Sequence, residues 1–367
     1  MQNLIPLGWN SNFDSYFLNN NGQLDASPQE KTFQVGRVSS EQKNAYRLHT
    51  GEEEFLAVVS GRFYHQLTHR GELPVVGDWV QFCREENDER AVIHKVLPRQ
   101  SQVSRKVAGK GITEQIIASN IDTLFLANAL NQDFNLRRIE RYLVLAWESG
   151  AQPVILLTKA DLCDEPERFV KEVESVAFGV PVHVICAPRR EGLETLRQYL
   201  QPGKTAALIG SSGVGKSTLL NQMLGEERQR VAQIREDDHK GRHATTHREL
   251  FMLPSGGVLI DTPGMRELQL WDDQGAVHQV FDDIEKLGQA CRFRDCQHQQ
   301  EPGCAIQEAI ANGELDAKRY RSYLKLQREL NYIQKKQDQS YQQMKKKANK
   351  KLSVHIKKNV RHRGLDE

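Results

Sequence analysis

The chain has 367 residues, of which 38% are hydrophobic and 27% are charged, and its 50 Lys and Arg nearly balance its 48 Asp and Glu. This composition excludes a wholly disordered or collagen-like protein, and no apolar run reaches the roughly 18 residues of a membrane-spanning helix. The N-terminal sequence MQNLIPLGWN lacks the basic and then apolar stretches of a secretory leader. We therefore expect a cytoplasmic monomer of two or three domains that does not bind a membrane.

The N-terminal third divides into an extension and a small barrel. Residues 1–30 are rich in Asn, Ser, Gln and Asp without a clean period, which predicts an irregular extension. Within residues 31–112, five short β-type runs recur between turn signals: FQVGRV, AYRLHT, FLAVVSGRF, VVGDWVQF and AVIHKVL. Five strands at this spacing predict an OB-type β-barrel, the oligonucleotide-binding fold, which would bind RNA.

Four aromatic residues of the predicted barrel have two interpretations. Phe63, Tyr64, Trp79 and Phe82 are candidate platforms on which RNA bases could stack. Aromatic side chains in strands more often belong to the hydrophobic core, and we favour that interpretation.

Residues 113–275 alternate between strand-like and helix-like runs. The strand-like runs are DTLFLA, PVILLT, PVHVI, AALIG and GVLID. One helix is predicted from Leu136 to Trp147, with Asn135 as its N-cap and Gly150 just past its end. This alternation is typical of an α/β domain with a parallel sheet covered by helices.

In the α/β region, the segment GSSGVGKST matches the phosphate-loop pattern G-x-x-x-x-G-K-[ST], between a strand-like and a helix-like run. The glycines allow backbone N–H groups to surround phosphate oxygens at the start of a helix. Lys216 would neutralise the β- and γ-phosphate oxygens as a catalytic residue, and Ser217 would hold Mg²⁺. The predicted GTP-binding residues of the loop are Gly210, Ser211, Ser212, Gly213, Val214, Gly215, Lys216, Ser217 and Thr218.

The motif DTPG follows the last strand-like run of this domain. Asp261 could reach Mg²⁺ through water, and the backbone N–H of Gly264 could bind the terminal phosphate. An ordinary Pro-Gly turn is the alternative, but the phosphate loop upstream favours a nucleotide site.

A third motif predicts which base is bound. Thr158, Lys159, Ala160 and Asp161 read TKAD directly after an apolar strand-like run, where ligands of α/β sheets bind. Asp161 could accept hydrogen bonds from the ring N–H and the amino group of guanine, which would select GTP over ATP. Backbone N–H groups at the end of the next strand-like run could also contact the base, and the site residues there are Cys186 and Ala187.

A cluster of cysteines and a histidine follows the α/β region. Cys291, Cys296, His298 and Cys304 offer three thiolates and one imidazole within fourteen residues. Four such ligands complete a tetrahedron around one Zn²⁺, so we predict a structural zinc site without an open position for chemistry. Buried or redox-active cysteines are the alternative.

The order TKAD, GSSGVGKST, DTPG is the reverse of the usual GTPase order and resembles that of the circularly permuted GTPases. Together with VGDWV in the barrel, GRHATT at residues 241–246 and the Cys/His cluster, it makes residues 30–320 similar to the ribosome small-subunit-dependent GTPase A (RsgA) family. The resemblance implies an N-terminal OB-type barrel, a circularly permuted phosphate-loop GTPase core and a C-terminal zinc-binding helical lobe. It also implies GTP hydrolysis that is stimulated by the small ribosomal subunit and serves its late maturation, with GTP, GDP and rRNA as ligands.

The resemblance leaves two functional positions open. Met265 follows DTPG, where many GTPases carry a Gln that orients water, and a thioether cannot do this. His243 of GRHATT resembles the family's histidine and is the internal catalytic candidate, while ordering its own loop or contacting RNA is the alternative. Ala244 replaces the first of the family's three threonines, so Thr245 or Thr246 would bind Mg²⁺, and we favour Thr246.

The C-terminal part is predicted to be a zinc-binding and helical domain over residues 276–340 and a basic tail over residues 341–367. From Lys345 to Arg363 there are nine Lys or Arg and no acidic residue, which favours binding to rRNA. The predicted function is that of a GTPase in maturation of the small ribosomal subunit. The alternative is an RNA-binding scaffold in which GTP is structural or only a switch with little hydrolysis.

Overall fold

A computed structural model describes residues 1–20, 33–43, 45–84, 88, 90–106, 114–225, 248–262 and 274–336 of the chain. The strands are β1 (Gln34–Gln42), β2 (Ala45–His49), β3 (Glu54–Val59), β4 (Trp79–Cys83), β5 (Arg90–Val96), β6 (Gln102–Lys106), β7 (Glu114–Ser119), β8 (Thr123–Ala129), β9 (Gln152–Thr158), β10 (Val182–Val184), β11 (Thr205–Gly210), β12 (Glu249–Met252) and β13 (Val258–Asp261). The helices are α1 (Ser11–Asn20), α2 (Gly61–Gln66), α3 (Leu136–Ser149), α4 (Pro166–Glu174), α5 (Lys216–Leu224), α6 (Gln274–Val280), α7 (Asp282–Gln289) and α8 (Ala305–Ala311), followed by α9 over residues 317–336. No described helix combines the length and the apolar character that crossing a bilayer requires.

The first five strands close into the barrel that the sequence predicts. They follow the order β1-β2-β3-β5-β4, and β4 pairs back onto β1. The third predicted run is shorter than expected, because Ser60 caps α2 by accepting a hydrogen bond from the N–H of Phe63. Trp79 and Phe82 are fully buried, which confirms the core interpretation for these two, whereas Tyr64 on α2 is 62% exposed.

The VGDWV segment contains a buried carboxylate that connects the barrel to Arg99 and to β7. Arg99 donates to both oxygens of Asp78, at 2.8 and 2.7 Å, and the hydroxyl of Ser119 donates to one of them. Asp78 has no exposed surface, so these donors replace the water that a carboxylate otherwise requires.

The α/β domain has the parallel sheet that the sequence predicts, in the order β10-β9-β8-β11-β13-β12. Its edge strand β12 runs antiparallel to β13 and was not expected from the sequence. Glu249 in β12 pairs with Asp261 in β13 on one side and with Ser40 in β1 on the other. The barrel and the α/β sheet are therefore one continuous sheet.

Helix α3 begins at Leu136 as the sequence predicts and ends at Ser149, two residues beyond the predicted Trp147. The side chain of Asn135 accepts a hydrogen bond from the N–H of Arg138, and Gly150 adopts the left-handed conformation at the other end, with φ 77°. The helix buries its apolar face against the sheet, and α6 packs beside it.

The prediction of an irregular N-terminal extension is wrong for the part that the structure describes. A 3-10 helix spans Gln2–Leu7, and α1 follows it. Trp9, Phe13 and Phe17 are at most 4% exposed, and the rings of Trp9 and Trp79 lie 4.9 Å apart. Phe13 and Phe17 are four residues apart on one side of α1, and Trp9, two residues before that helix, packs against both, so all three reach the core although the residues between them are polar.

Arg37 joins the barrel, the N-terminal segment and the α/β sheet. Its acceptors are the carbonyl oxygens of Leu7, Gly77 and Asn120 and the hydroxyl of Thr205. Burial lowers the pKa of Arg37 to about 10, although the carboxylates of Asp122 and Asp78 oppose the shift. A buried guanidinium thus links three regions through neutral acceptors.

The C-terminal lobe contains α7, α8 and α9 and packs on α3. Residues 262–273 separate β13 from α6, which leads into this lobe. Buried residues form the apolar stripe of α9, namely Tyr320, Tyr323, Leu326, Leu330 and Ile333. Arg319 donates to Asp283 in α7 at 2.8 and 3.0 Å and to Glu140 in α3 at 2.7 Å. Arg141 in α3 pairs with Glu329 in α9 at 3.0 Å.

Candidate functional site

The three sequence motifs meet at one edge of the α/β sheet. TKAD follows β9, the phosphate loop follows β11, and Asp261 is the last residue of β13. These strands are parallel members of one sheet, so their carboxyl ends lie side by side. The fold therefore brings together a base motif and a phosphate motif that are about 50 residues apart in sequence.

The phosphate loop has the backbone shape that anion binding requires. Gly213 and Gly215 adopt φ values of 78° and 102°, in the left-handed region that only glycine enters readily. Helix α5 begins at Lys216 directly after the loop. Unpaired N–H groups and the partial positive charge of a helix start favour a phosphate group at this point.

Lys216 spans the phosphate loop. Its ammonium donates to the carbonyl oxygens of Gly210 and Ser211, each at 2.9 Å, and the residue is only 7% exposed. Burial lowers the pKa of Lys216 to about 8, and the nearby carboxylate of Asp261 partly opposes the shift. Phosphate oxygens would replace the two carbonyl acceptors and neutralise the buried charge more completely.

Asp261 and Ser217 offer the oxygen ligands that Mg²⁺ prefers. Asp261 is fully buried beside β11, where it pairs in register with Leu208, and Thr262 donates to the carbonyl oxygen of Leu208 at 2.5 Å. Ser217 lies in the first turn of α5. A hydroxyl and a carboxylate beside a phosphate loop fit a nucleotide-bound Mg²⁺.

A hydrogen bond from Thr158 connects the base motif TKAD to the phosphate loop. Its hydroxyl donates to the carbonyl oxygen of Val214 at 2.6 Å and lies 3.3 Å from that of Asn128. Lys159, the next residue, has φ 59°, which turns the chain at the end of β9. This contact fixes the distance between the base end and the phosphate end of the site.

Asp161 contacts the second segment that was predicted to bind the base. The Sγ atom of Cys186 lies 3.5 Å from Oδ1 of Asp161. The backbone N–H of Cys186 donates to the carbonyl oxygen of Glu191, so this group is not the predicted donor to the base. The N–H of Ala187 remains the candidate donor.

Two charged residues beside the phosphate loop were missed by the sequence analysis. Asp133 lies in the loop after β8, and Arg138 is in the first turn of α3. Arg138 donates to both carboxylate oxygens of Asp133, at 2.9 and 3.1 Å, and Ser211 of the phosphate loop donates to Asp133 at 3.0 Å. Both residues follow the carboxyl end of a parallel strand, which is the same signal that identified TKAD.

The remaining predicted site residues lie outside the described part of the chain. These residues are His243, Thr245, Thr246, Gly264 and Met265, together with the basic tail. Their roles stay predictions.

The predicted zinc ligands come together in the C-terminal lobe. The candidate ligand atoms of Cys291, Cys296, His298 and Cys304 all lie within 4.8 Å of one another. Nδ1 of His298 is 3.4 and 3.5 Å from the sulfur atoms of Cys291 and Cys304, which are 3.9 Å apart. A tetrahedral Zn²⁺ with bonds of about 2.3 Å to sulfur and about 2.0 Å to nitrogen separates its ligand atoms by about 3.5–3.8 Å. The four residues therefore fit one Zn²⁺.

Family comparison agrees with the geometry of the site. The model of the RsgA GTPase family matches residues 96–271. The model of the ABC transporter family matches residues 193–362, a range that also contains the phosphate loop shared by many nucleotide-binding proteins.

Several proteins are similar over almost the whole chain. The small ribosomal subunit biogenesis GTPase RsgA 1 of Oceanobacillus iheyensis is 44% identical over 93% of this chain and 95% of its own length. RsgA of Methanosarcina acetivorans is 42% identical over 96% of this chain and 92% of its own length. RsgA 2 of Vibrio vulnificus is 46% identical over 90% of this chain and 88% of its own length.

Two crystal structures have a similar fold. YjeQ from Thermotoga maritima has a TM-score of 0.58 and 29% identity, with 82% of this chain and 99% of that chain covered. YloQ, described as a circularly permuted GTPase, has a TM-score of 0.57 and 22% identity, with 84% of this chain and 98% of that chain covered.

Proposed function

Because this chain belongs to the RsgA GTPase family and is therefore a GTP hydrolase, we propose that its hydrolysis of GTP serves late maturation of the small ribosomal subunit. The observation that carries the proposal is the meeting of base, phosphate and magnesium motifs at one sheet edge, in a chain 42–46% identical to proteins named for small-subunit biogenesis. Binding to that subunit places the protein in the cytoplasm, and we expect it to act there as a monomer.

Each proposed role in nucleotide binding follows from a position in the site. Asp161 accepts from guanine, and Thr158 holds the base motif against the phosphate loop. Lys216 binds the β- and γ-phosphate oxygens, while Ser217 and Asp261 hold Mg²⁺ directly or through water. The bound Mg²⁺ supplies positive charge that stabilises the phosphate oxygens during hydrolysis. Thr246 as a further magnesium ligand and His243 as the catalytic group complete the proposal.

The barrel and the C-terminal lobe are proposed to hold the protein on rRNA. One Zn²⁺ bound by Cys291, Cys296, His298 and Cys304 would stabilise the lobe and take no part in chemistry. The nine cations between Lys345 and Arg363 would add binding to phosphate groups that weakens as salt is raised.

The test is the rate of phosphate release from GTP with and without purified small ribosomal subunits. Large subunits and ATP are the controls. We expect strong stimulation by small subunits only, and only with GTP. A rate that small subunits leave unchanged, while the protein still binds rRNA, would instead support the RNA-binding scaffold.

Lys216→Ala is the matched variant for this assay. Loss of the ammonium removes the charge that faces the β- and γ-phosphates, so we expect nucleotide binding and hydrolysis to be lost. Lys204→Ala is the control, since its ammonium pairs with Asp122 at 3.0 Å on the exposed surface. GTP affinity retained by Lys216→Ala would contradict the phosphate-loop assignment.

A further inference from the structure

Arg138 and Lys216 lie on two sides of one residue of the phosphate loop. The ammonium of Lys216 is 2.9 Å from the carbonyl oxygen of Ser211, and Nη1 of Arg138 is 3.5 Å from the hydroxyl oxygen of the same residue. The lysine of a phosphate loop reaches the β- and γ-phosphates. The guanidinium of Arg138 is therefore close to the end of the site that holds the terminal phosphate.

The guanidinium of Arg138 has an N–H donor that forms no hydrogen bond with the described residues. Its two Nη atoms bind the carboxylate of Asp133, and Nη1 also donates to the backbone carbonyl oxygen of Asp133 at 3.2 Å, while its Nε–H has no hydrogen-bond partner among the described residues. The side chain of Arg138 is 24% exposed and that of Asp133 is 48% exposed. An ion pair at this exposure is weakly held, because water competes for both partners.

We propose that Arg138 is a second cation of the phosphate site, which Asp133 holds until the terminal phosphate of GTP competes for it. This inference rests on the GTP binding proposed above and adds a residue that distinguishes GTP from GDP. Arg138 would donate to oxygens of the terminal phosphate, which GDP lacks. No bond is made or broken in this exchange, since only hydrogen-bond partners change.

The carboxylate of Asp133 keeps other partners if it releases Arg138. The hydroxyl of Ser211 donates to its Oδ2 atom at 3.0 Å, and the ammonium of Lys159 attracts the same carboxylate. Burial acts to raise the pKa of Asp133, but the hydrogen bonds from Arg138 and Ser211 outweigh it, so the pKa lies below its usual range. Asp133 therefore stays ionised near neutral pH and holds Arg138 when no triphosphate is present.

Phosphate is the stronger competitor for the arginine. A guanidinium binds phosphate and carboxylate with the same paired geometry, but a terminal phosphate offers three oxygens and more negative charge. GDP lacks this group, so its binding would leave the pair between Asp133 and Arg138 intact. The predicted consequence is a preference for GTP that depends on Arg138.

The test compares the affinities of the full-length protein for GDP and for a non-hydrolysable GTP analogue with Mg²⁺, measured by calorimetry. We expect Arg138→Met to weaken binding of the GTP analogue by about tenfold and binding of GDP little, because one charge-assisted contact is lost. Arg138→Lys should keep part of the preference, since it keeps the charge. Asp133→Asn should raise the preference for the analogue, because it releases Arg138.

Arg141→Met is the control from the same helix, as Arg141 pairs with Glu329 on the side of the C-terminal lobe. It should leave the ratio of the two affinities unchanged. Circular dichroism and thermal melting verify that each variant is folded. Equal weakening of both nucleotides by Arg138→Met, or no weakening, would overturn the inference. If the unaltered protein binds neither nucleotide, the proposed function itself fails.

Discussion

Arg37 and Arg319 are both almost fully buried, and each attaches one flanking region to the α/β sheet. Arg37 donates to carbonyl and hydroxyl oxygens, and burial lowers its pKa to about 10. Burial also acts to lower the pKa of Arg319, but the carboxylates of Asp283 and Glu140 outweigh it and raise the pKa. The buried arginine at the barrel junction is thus paired with neutral acceptors beside a continuous sheet, whereas the buried arginine at the lobe junction is paired with opposite charges.

Removing the proposed Zn²⁺ is expected to produce the largest difference between these two junctions. Structural zinc contributes about 10 kcal/mol or more to the folding of small metal-binding peptides. We expect a chelator to abolish hydrogen-exchange protection in α7 and α8, while the paired amides of β1 and β12 keep theirs. Protection that is lost equally at both junctions, or retained in the lobe, would contradict the comparison.

Arg319→Met should have the next largest effect. It removes the cation that pairs with Asp283 and with the buried carboxylate of Glu140, and only Arg137 then remains beside Glu140, which costs about 3–5 kcal/mol of the free energy of unfolding. Urea unfolding measures this loss. Adding Glu140→Leu to the variant should recover much of it, because the buried carboxylate that lost one of its two cations is then gone. A double variant no more stable than Arg319→Met would argue against a junction held by charge.

Arg37→Met should destabilise the protein by about 2–3 kcal/mol, since it leaves buried acceptors without donors but no buried charge without a partner. The same urea titration provides the measurement. The control is Arg168→Met, whose ion pair with Glu172 is mostly exposed and should change stability by at most about 0.5 kcal/mol. A loss in Arg37→Met as small as that of the control would show that the neutral junction contributes little.

Raising the salt concentration is expected to produce the smallest difference between the two junctions. Raising NaCl from about 0.1 to 1 M shortens the screening length from about 10 to about 3 Å. The pair between Arg141 and Glu329 is partly exposed, so we expect docking of α9 on α3 to weaken by about 0.5 kcal/mol. Hydrogen exchange in α9 should quicken with salt while that in β1 does not. Equal changes in both would contradict the assignment.

Local sequence signals were enough for much of the fold and of the site. The N-cap Asn135 and the terminal Gly150 bracket α3, and the spacing of glycines and lysine identified the phosphate loop without any tertiary information. The four zinc ligands were equally local, because all lie within fourteen residues. Each of these features is determined by residues that are close together in the chain.

Contacts between distant residues could not be predicted. Arg37 and Thr205 are 168 residues apart, and Arg319 and Glu140 are 179 apart, so only the folded chain shows that each pair is buried together. The spacing of Trp9, Phe13 and Phe17 was visible in the sequence, but the polar residues between them prevented the prediction of a helix that packs into the core. The contact of Asp133 with Ser211 likewise depends on the neighbouring positions of β8 and β11 in the sheet.

The short connection between β13 and the C-terminal lobe has a consequence for how firmly that lobe needs to bind. Only twelve residues, 262–273, separate the end of β13 from the start of α6, so the lobe is tethered to the α/β domain by a short stretch of chain. A short linker gives a tethered partner an effective concentration on the order of millimolar. Apolar contacts and ion pairs that would be too weak to hold two separate molecules together therefore suffice here.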